Sequence, residues 1–486
     1  MGNETVSYWP FAILALSVGL IVLLIVKLRV HAFFALLIAA VFVGLLSNSL
    51  PIIQGKEGLG HILQAFEWPM IEFGSTAGKI AYVIAVASVI GVCLMESGAA
   101  DRIVQTLLNA LGEQRAALAL LASGFFLSIP VFFDTVFFLL IPLARALALR
   151  TGKNYLLYVM AICGGGVLTH SLVAPTPGPL IMAENLKLDL GWSIIAGIVA
   201  GILPCWVTLR LGRRIDETVK QKRPLDAADD DSPASQESAP SFALSAPSFA
   251  LSALPVVLPV ALISLASFFG LAARSMPWFV DLFGGDDGFA KARAFVDVIG
   301  NKNLAMTLGA VIALWVLARQ KKMTLDRLGE VMGRPLSTAG VIILITSAGG
   351  AFGAMIKHSG VGKSVEALAE AMNLNYILLA WLLSSIMKIA QGSGTVAMIT
   401  TSLMMAEIVG DGGSLAYHPM YIFLAIGFGS FTLSWMNDSA FWVVGRLSGF
   451  TEKETLQTWT KLLGAMSLAG LVQLLIVSNV LPFAVN

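Results

Sequence analysis

Runs of about twenty apolar residues recur along the whole 486-residue chain, and no other feature limits its fold as tightly. A helix that crosses a bilayer needs about 20 such residues. Candidates lie at 10–26, 31–49, 79–97, 154–172, 191–209, 252–272, 303–318, 337–356, 419–436 and 463–483. Lys, Arg, Asp and Glu make up only 13% of the residues, and 57% are apolar. Ordinary soluble domains carry about 25% charge, so this chain could not cover a water-exposed surface of its size. The sequence predicts an all-α polytopic membrane protein. The formal net charge of +1 leaves no electrostatic footprint for nucleic acid. Cys93, Cys163 and Cys205 lie in apolar runs, without zinc-like spacing or a secreted disulfide framework. Met1–Pro10 contains no Lys or Arg, so the first apolar run is expected to be a retained span rather than a cleaved signal.

Two apolar stretches, 116–149 and 375–409, are too long for one crossing and too short for two. Each is interrupted near its middle, at Ser128-Ile129-Pro130 and at Gln391-Gly392-Ser393-Gly394. They are expected to be re-entrant hairpins. With the Lys27–Arg29 turn in the cytoplasm and each hairpin returning to its own side, 21 of the 31 Lys and Arg fall in cytoplasmic segments and nine outside, with Lys388 left at membrane depth. That asymmetry follows the positive-inside rule and puts both termini outside. The expected organisation is a first transmembrane repeat over 1–211, a cytoplasmic linker over 212–250 and a second repeat over 251–486. The linker contains Asp229–Asp231 and a tandem Ala-Pro-Ser-Phe-Ala-Leu-Ser, a low-complexity composition that suits a flexible connector. Amphipathic stretches at 101–111, 321–332 and 363–372 are expected as interfacial connectors.

The two halves resemble each other faintly. Tyr158, Gly164, Gly166, Thr169 and Ser171 match Tyr421, Gly427, Gly429, Thr432 and Ser434 at an offset of 263, and Thr135-Val136 matches Thr395-Val396. In each half a span, a hairpin, an interrupted span and a final span follow in order, and on the charge count the hairpins enter from opposite sides. The expected fold is therefore an inverted repeat of about five spans each, with one hairpin and one broken helix per repeat. Such repeats with broken helices are the architecture of secondary transporters, whose sites lie near the midplane.

Non-helical backbone survives at membrane depth only around a protein-lined or wet cavity. Four places break the pattern. The first is the hairpin tip around Pro130, Asp134 and Thr135, where a proline disrupts the turn and a carboxylate is costly to bury. The second runs from Gly164 through Thr169, His170 and Ser171 to Pro175-Thr176-Pro177-Gly178-Pro179. Its prolines cannot continue a helix, and His170 is a natural proton carrier. The third, Lys388 to Thr395, couples a cation to flexible glycines and a helix N-terminus suited to a carboxylate. The fourth is Ser434-Trp-Met-Asn437-Asp438-Ser439. The Gly164–Gly166 triplet lacks the Lys-Ser/Thr of a phosphate loop, so nucleotide binding is not supported.

At these four places the sequence resembles the gluconate permease family of proton symporters, within the ion transporter superfamily. The matching residues are Pro130-Val-Phe-Phe-Asp134, Gly164-Gly-Gly with Thr169-His170, Pro175-Thr-Pro-Gly-Pro179, Ala390-Gln-Gly-Ser393 with Thr395-Val-Ala397, and Asn437-Asp438-Ser439 with Phe441-Trp442. Departures are Ala174, Lys388 and Trp435-Met436, where the family often has Pro, Arg and His-Val. The resemblance implies a non-enzymatic transporter of a bacterial inner membrane, without cofactor or metal, carrying gluconate, a related sugar acid, glycerate or D-serine. The expected function is proton-coupled uptake of a small hydroxylated monocarboxylate. Expected binding residues are Thr169, Ser171, Thr176, Gly178, Lys388, Ser393, Gly394, Thr395, Ser434, Asn437 and Ser439, with Asp134, His170 and Asp438 as proton-coupling candidates. A sodium-coupled carboxylate carrier would use the same fold. An intramembrane hydrolase finds no His-Glu-x-x-His or Gly-x-Ser-x-Gly. Oligomeric state stays open, a homodimer included.

Overall fold

The computed structural model describes residues 9–54, 57–218, 247–361, 364, 375–409 and 415–483. Among them there are helices and no strand. The helices are α1 (Trp9–Val22), α2 (Ala32–Leu46), α3 (His61–Glu96), α4 (Ala99–Leu111), α5 (Ala116–Leu127), α6 (Phe133–Thr151), α7 (Tyr155–Leu172), α8 (Pro177–Asn185), α9 (Leu190–Ala200) and α10 (Ile202–Thr218). They continue as α11 (Phe249–Ser275), α12 (Pro277–Asp281), α13 (Asp286–Ile299), α14 (Lys302–Lys321) and α15 (Leu325–His358). The last are α16 (Tyr376–Gln391), α17 (Gly394–Val409), α18 (Met420–Gly429), α19 (Ser439–Ser448), α20 (Glu452–Thr455) and α21 (Lys461–Val480). Seven described helices, counting α7 with α8, α9 with α10 and α20 with α21 as one each, are long and apolar enough to cross a membrane.

Both hairpins form. The chain stops being helical at Ser128–Phe132 between α5 and α6, and at Gly392-Ser393 between α16 and α17. Pro130 has no N–H to give to a continuing helix, and Gly392 adopts φ +78°, a left-handed conformation that only glycine takes without strain. In each half the hairpin leans on a broken helix, α7/α8 in the first and α18/α19 in the second. Close backbone approach makes this possible. A Cβ on Gly165 would collide with the Leu121 carbonyl and stand 2.8 Å from the Phe125 nitrogen, and one on Gly429 would stand 2.5 Å from the Trp381 carbonyl. Hydroxyls tie the same faces together: Thr169 Oγ1 donates to Phe125 O at 2.8 Å, and Ser384 Oγ donates to Ile426 O at 2.8 Å.

The two halves are joined reciprocally. The returning helix of each hairpin packs on the far half of the other repeat's broken helix, α6 on α19 and α17 on α8. The long helices α3 and α15 pair with each other, as do the closing helices α10 and α21. One continuous apolar core runs through both repeats. A small aromatic cluster of Phe269, Phe289 and their neighbours is separate from it, under α12 and α13.

Several boundaries differ from those expected. The span at 79–97 is the far end of the 36-residue α3, and the span at 337–356 is the far end of the 34-residue α15. The stretch 321–332, expected as a connector, is largely the start of α15. Hydropathy registers only the apolar part of each helix, whereas Gln64, Glu67, Asp326 and Glu330 interrupt the apolar run without interrupting the helix. The span at 191–209 is divided at Gly201 into α9 and α10. The run at 31–49 yields α2 of 15 residues, about 22 Å long and short of a hydrocarbon core of about 30 Å. The connector at 101–111 is α4, with Ile103 and Val104 buried. That at 363–372 lies outside the described residues apart from Ser364, and linker residues 219–246 lie outside them entirely.

Gly165→Ala should destabilise the protein by about 1–3 kcal/mol through overpacking between α5 and α7. Gly19→Ala, with open space at its Cβ, should cost nothing measurable. Thermal unfolding of the two variants in detergent checks the contrast, and equal melting temperatures would refute it.

Candidate binding site

The four interruptions meet. A cavity of about 490 Å³ is lined by Asp134 and Thr135 at the start of α6, His170 and Ser171 at the end of α7, Lys388 and Gln391 to Val396 across the tip of the second hairpin, and Ser430, Asn437, Asp438 and Ser439 around the second break. Three helix N-termini face it, those of α6, α17 and α19. Their dipoles give the cavity a positive rim that suits an anion, with the Val396 and Ala440 N–H groups already donating to Ser393 and Asp438.

It contains a buried ion pair. Lys388 Nζ lies 2.6 Å from Asp438 Oδ2, and the two residues are only 5% and 7% exposed. Lys388 also donates to Gly392 O at 2.6 Å. The Asp438 carboxylate accepts from Ser434 Oγ and, through Oδ1, from the Ala440 N–H at 3.0 Å, which caps α19. Ser434 accepts in turn from Trp459 Nε1 at 2.7 Å, and the Trp459 ring stacks on Phe133 with centroids 5.5 Å apart. The chain of contacts therefore runs from the first hairpin, through the second break, to the tip of the second hairpin.

The first repeat supplies groups that are not tied down. Asp134 lines the cavity and has no hydrogen-bond or ion-pair partner among the described residues. His170 Nε2 stands 3.4 Å from Thr395 Oγ1, bridging the two repeats, while its buried Nδ1 has no partner. Ser171, Lys388, Ser393, Gly394, Thr395, Asn437, Asp438 and Ser439 are also at the cavity wall.

Other residues expected at the site stand behind that wall. Thr169 is turned to the α5 backbone. Thr176 donates to Val173 O at 2.7 Å and to His170 O at 3.1 Å, closing the first break. Gly178 is packed against Met398, and Ser434 acts on the cavity only through Asp438. Asn437 directs its NH₂ away, to Ile389 O at 2.8 Å, and leaves a buried Oδ1 without a partner.

The sequence marked Gln391 as part of the hairpin tip without giving it a binding role, and its buried Nε2 has no partner; Trp459, Thr346 and Ser430 at the same wall were not singled out. The place of Gln391 at the hairpin tip could have indicated such a role. Trp459 lies in an amphipathic stretch with no sign of being near the site.

Comparison with known proteins agrees with this architecture. The family described as GntP family permease matches residues 9–480. The gluconate permease of Pseudomonas aeruginosa is 31% identical over 480 residues, covering 98% of each chain. The low-affinity gluconate transporter of Escherichia coli K12 is 30% identical, covering 94% of this chain and 95% of its own. The Gnt-II system L-idonate transporter of the same strain is 28% identical, covering 97% and 100%. Among solved structures, the YdaH transporter of Alcanivorax borkumensis, reported to have an unusual topology, superimposes with a TM-score of 0.59 at 14% identity, covering 96% and 100%. The fold and its broken-helix cavity are those of a multi-pass membrane transporter. The chain belongs to the GntP permease family.

Lys388→Met leaves the Asp438 carboxylate buried without its counter-charge and should destabilise the protein by about 3–5 kcal/mol. Lys388→Met combined with Asp438→Leu should recover most of that loss, because the unpaired charge is gone. Unfolding midpoints of the two single variants and the double variant check this. Additive losses would refute a direct coupling.

Proposed function

We propose that this permease takes up a small hydroxylated monocarboxylate, a sugar acid of the gluconate or idonate type, together with a proton. The observation that carries the reading is the contrast between the two carboxylates at the cavity. Asp438 has a lysine, a hydroxyl and a backbone amide, whereas Asp134 has no such partner and faces the same space. With Lys388 and Asp438 cancelling, an ionised Asp134 leaves the cavity negative and repels an anion. Protonation of Asp134 leaves the helix N-termini to receive the substrate carboxylate, so proton and anion enter together. Ser393, Gly394 and Thr395 would hold that carboxylate. Ser171, Ser439 and the free Oδ1 of Asn437 would take hydroxyls, and His170 would share the proton through Thr395.

The energetics require a co-transported cation. Moving one negative charge inward against an inside-negative potential costs about 2.3 kcal/mol per 100 mV. An inner-membrane location with both termini periplasmic accords with the Lys and Arg distribution. It also accords with three arginines placed over tryptophans, Arg319 on Trp315 and Arg446 on Trp442 in the last turns of their helices and Arg210 on Trp206 within α10, all in segments assigned to the cytoplasmic side. Paired Trp and Arg anchors are characteristic of membrane interfaces. The opposed hairpins would open in turn to the two sides.

Uptake of radiolabelled gluconate into reconstituted vesicles tests the proposal. An inward proton gradient should drive accumulation without sodium, and unlabelled sugar acids should compete better than glycerate or D-serine. Asp134→Asn should abolish uphill accumulation and keep gluconate exchange within a few-fold of the parent. A strict sodium requirement would overturn proton coupling. Proton-driven accumulation by the variant would remove Asp134 from the role.

A further inference from the structure

A second cavity, of about 540 Å³, lies on the outside of the helix assembly, far in sequence from every residue of the substrate cavity wall except those near α5 and α7. Its two long walls are Leu118, Ala122 and Phe125 on α5, and Ile202, Trp206 and Leu209 on α10. α4 and the start of α11 close its sides. Its volume falls within the range of pockets that hold small molecules, yet its lining is almost wholly apolar. Ile202 and Trp206 are 64% and 55% exposed, so the groove opens sideways, to the surroundings of a membrane helix.

The two walls run antiparallel and reach arginines at the same end. On α10 the lining positions 202, 206 and 209 are followed on the same face by Arg210 and Arg213, one turn on. On the other wall Arg115 closes the short turn Glu113–Arg115 that leads directly into α5, three residues before the lining residue Leu118. All three arginines are exposed, and none has a carboxylate partner among the described residues. The acids nearby are otherwise engaged or lie beyond. Glu113 pairs with Arg150 at 2.7 Å, Asp216 accepts the Leu156 N–H at 3.0 Å, and Glu217 makes no ion pair with the three. Arg210 lies 5.3 Å over the Trp206 ring, which holds its guanidinium at the mouth of the groove.

We infer that this groove binds an anionic glycerophospholipid, with an acyl chain between α5 and α10 and the phosphate among Arg115, Arg210 and Arg213. Only a molecule that is long and apolar at one end and anionic at the other satisfies both parts. Guanidinium groups bind phosphate bidentately, and basic clusters at the end of a membrane helix attract anionic lipid by about 1 kcal/mol per residue. On the orientation proposed above, the headgroup lies in the cytoplasmic leaflet. Because the groove is walled by the first hairpin's α5, an occupied groove would brace that hairpin against α10.

Native mass spectrometry of the full chain in detergent tests this, using dioleoyl phosphatidylglycerol and dioleoyl phosphatidylcholine as probes. The parent should hold phosphatidylglycerol at least tenfold more tightly. Arg115→Gln/Arg210→Gln/Arg213→Gln should weaken phosphatidylglycerol binding by roughly a hundredfold and phosphatidylcholine, whose phosphate is offset by its choline, by much less. Ala122→Phe, which fills the groove and keeps every charge, should weaken both lipids. Equal retention of the two lipids by the parent, or phosphatidylglycerol binding that survives the triple substitution, would overturn the proposal. Headgroup-selective binding unaffected by Ala122→Phe would overturn the groove as its seat. A lipid-free dimer that Ala122→Phe dissociates would assign the groove to a second copy of the chain instead.

Discussion

A helix that stops inside a membrane leaves N–H and C=O groups that no lipid can satisfy, and the structure is organised around meeting that demand at four stops. At the end of α7 the carbonyls of His170 and Val173 accept from Thr176. At the end of α16 the carbonyl of Ile389 accepts from Asn437, and that of Gly392 from Lys388. At the starts of α17 and α19, amides donate to Ser393 and Asp438. The polar residues that look like a binding site are thus also the caps of the broken helices. The Asn437 contact to Ile389 O joins the second break to the tip of the second hairpin, as the Lys388–Asp438 pair does, and where these two stops come together they wall the cavity.

The repeat is symmetric in scaffold and asymmetric in chemistry. Each half presses a glycine of its broken helix against a carbonyl of its own hairpin, Gly165 on Leu121 and Gly429 on Trp381, and lends its returning helix to the other half. Charge does not follow that symmetry. The second half contains the Lys388–Asp438 pair, locked by Ser434 and Trp459. The first contains Asp134 and His170, which face the cavity with few partners. The second half thus sets a paired charged wall opposite a carboxylate and an imidazole that have few partners.

Much of this was legible beforehand because the signals were violations of a simple rule. A proline at 130, three prolines from 175 to 179 and the Gln-Gly-Ser-Gly run at 391 are conspicuous inside apolar runs, and each marks a place where a helix stops. The lengths of α3 and α15 were not legible, because a helix can leave the apolar layer without any break in its backbone. Nor was the division of labour among hydroxyls. Thr169 and Ser171 are two residues apart on one helix and so face about 160° away from each other, one toward the α5 backbone and the other toward the cavity. Sequence spacing could separate the two faces but could not tell which of them was wet.

Taken by itself, the amino-acid sequence determined that the chain spans a membrane, where its helices break and that its two halves repeat, because these follow from local composition and from the bonding limits of proline and glycine. Only the tertiary structure decided which charges meet. Lys388 and Asp438 are fifty residues apart and lie on different elements, and their 2.6 Å contact exists because the second break folds back onto the hairpin tip. That pairing removes one carboxylate from play and leaves Asp134 exposed to the cavity. The reason is physical: in a medium of low dielectric an ion must find its partner in space, and a linear pattern of residues does not encode distance.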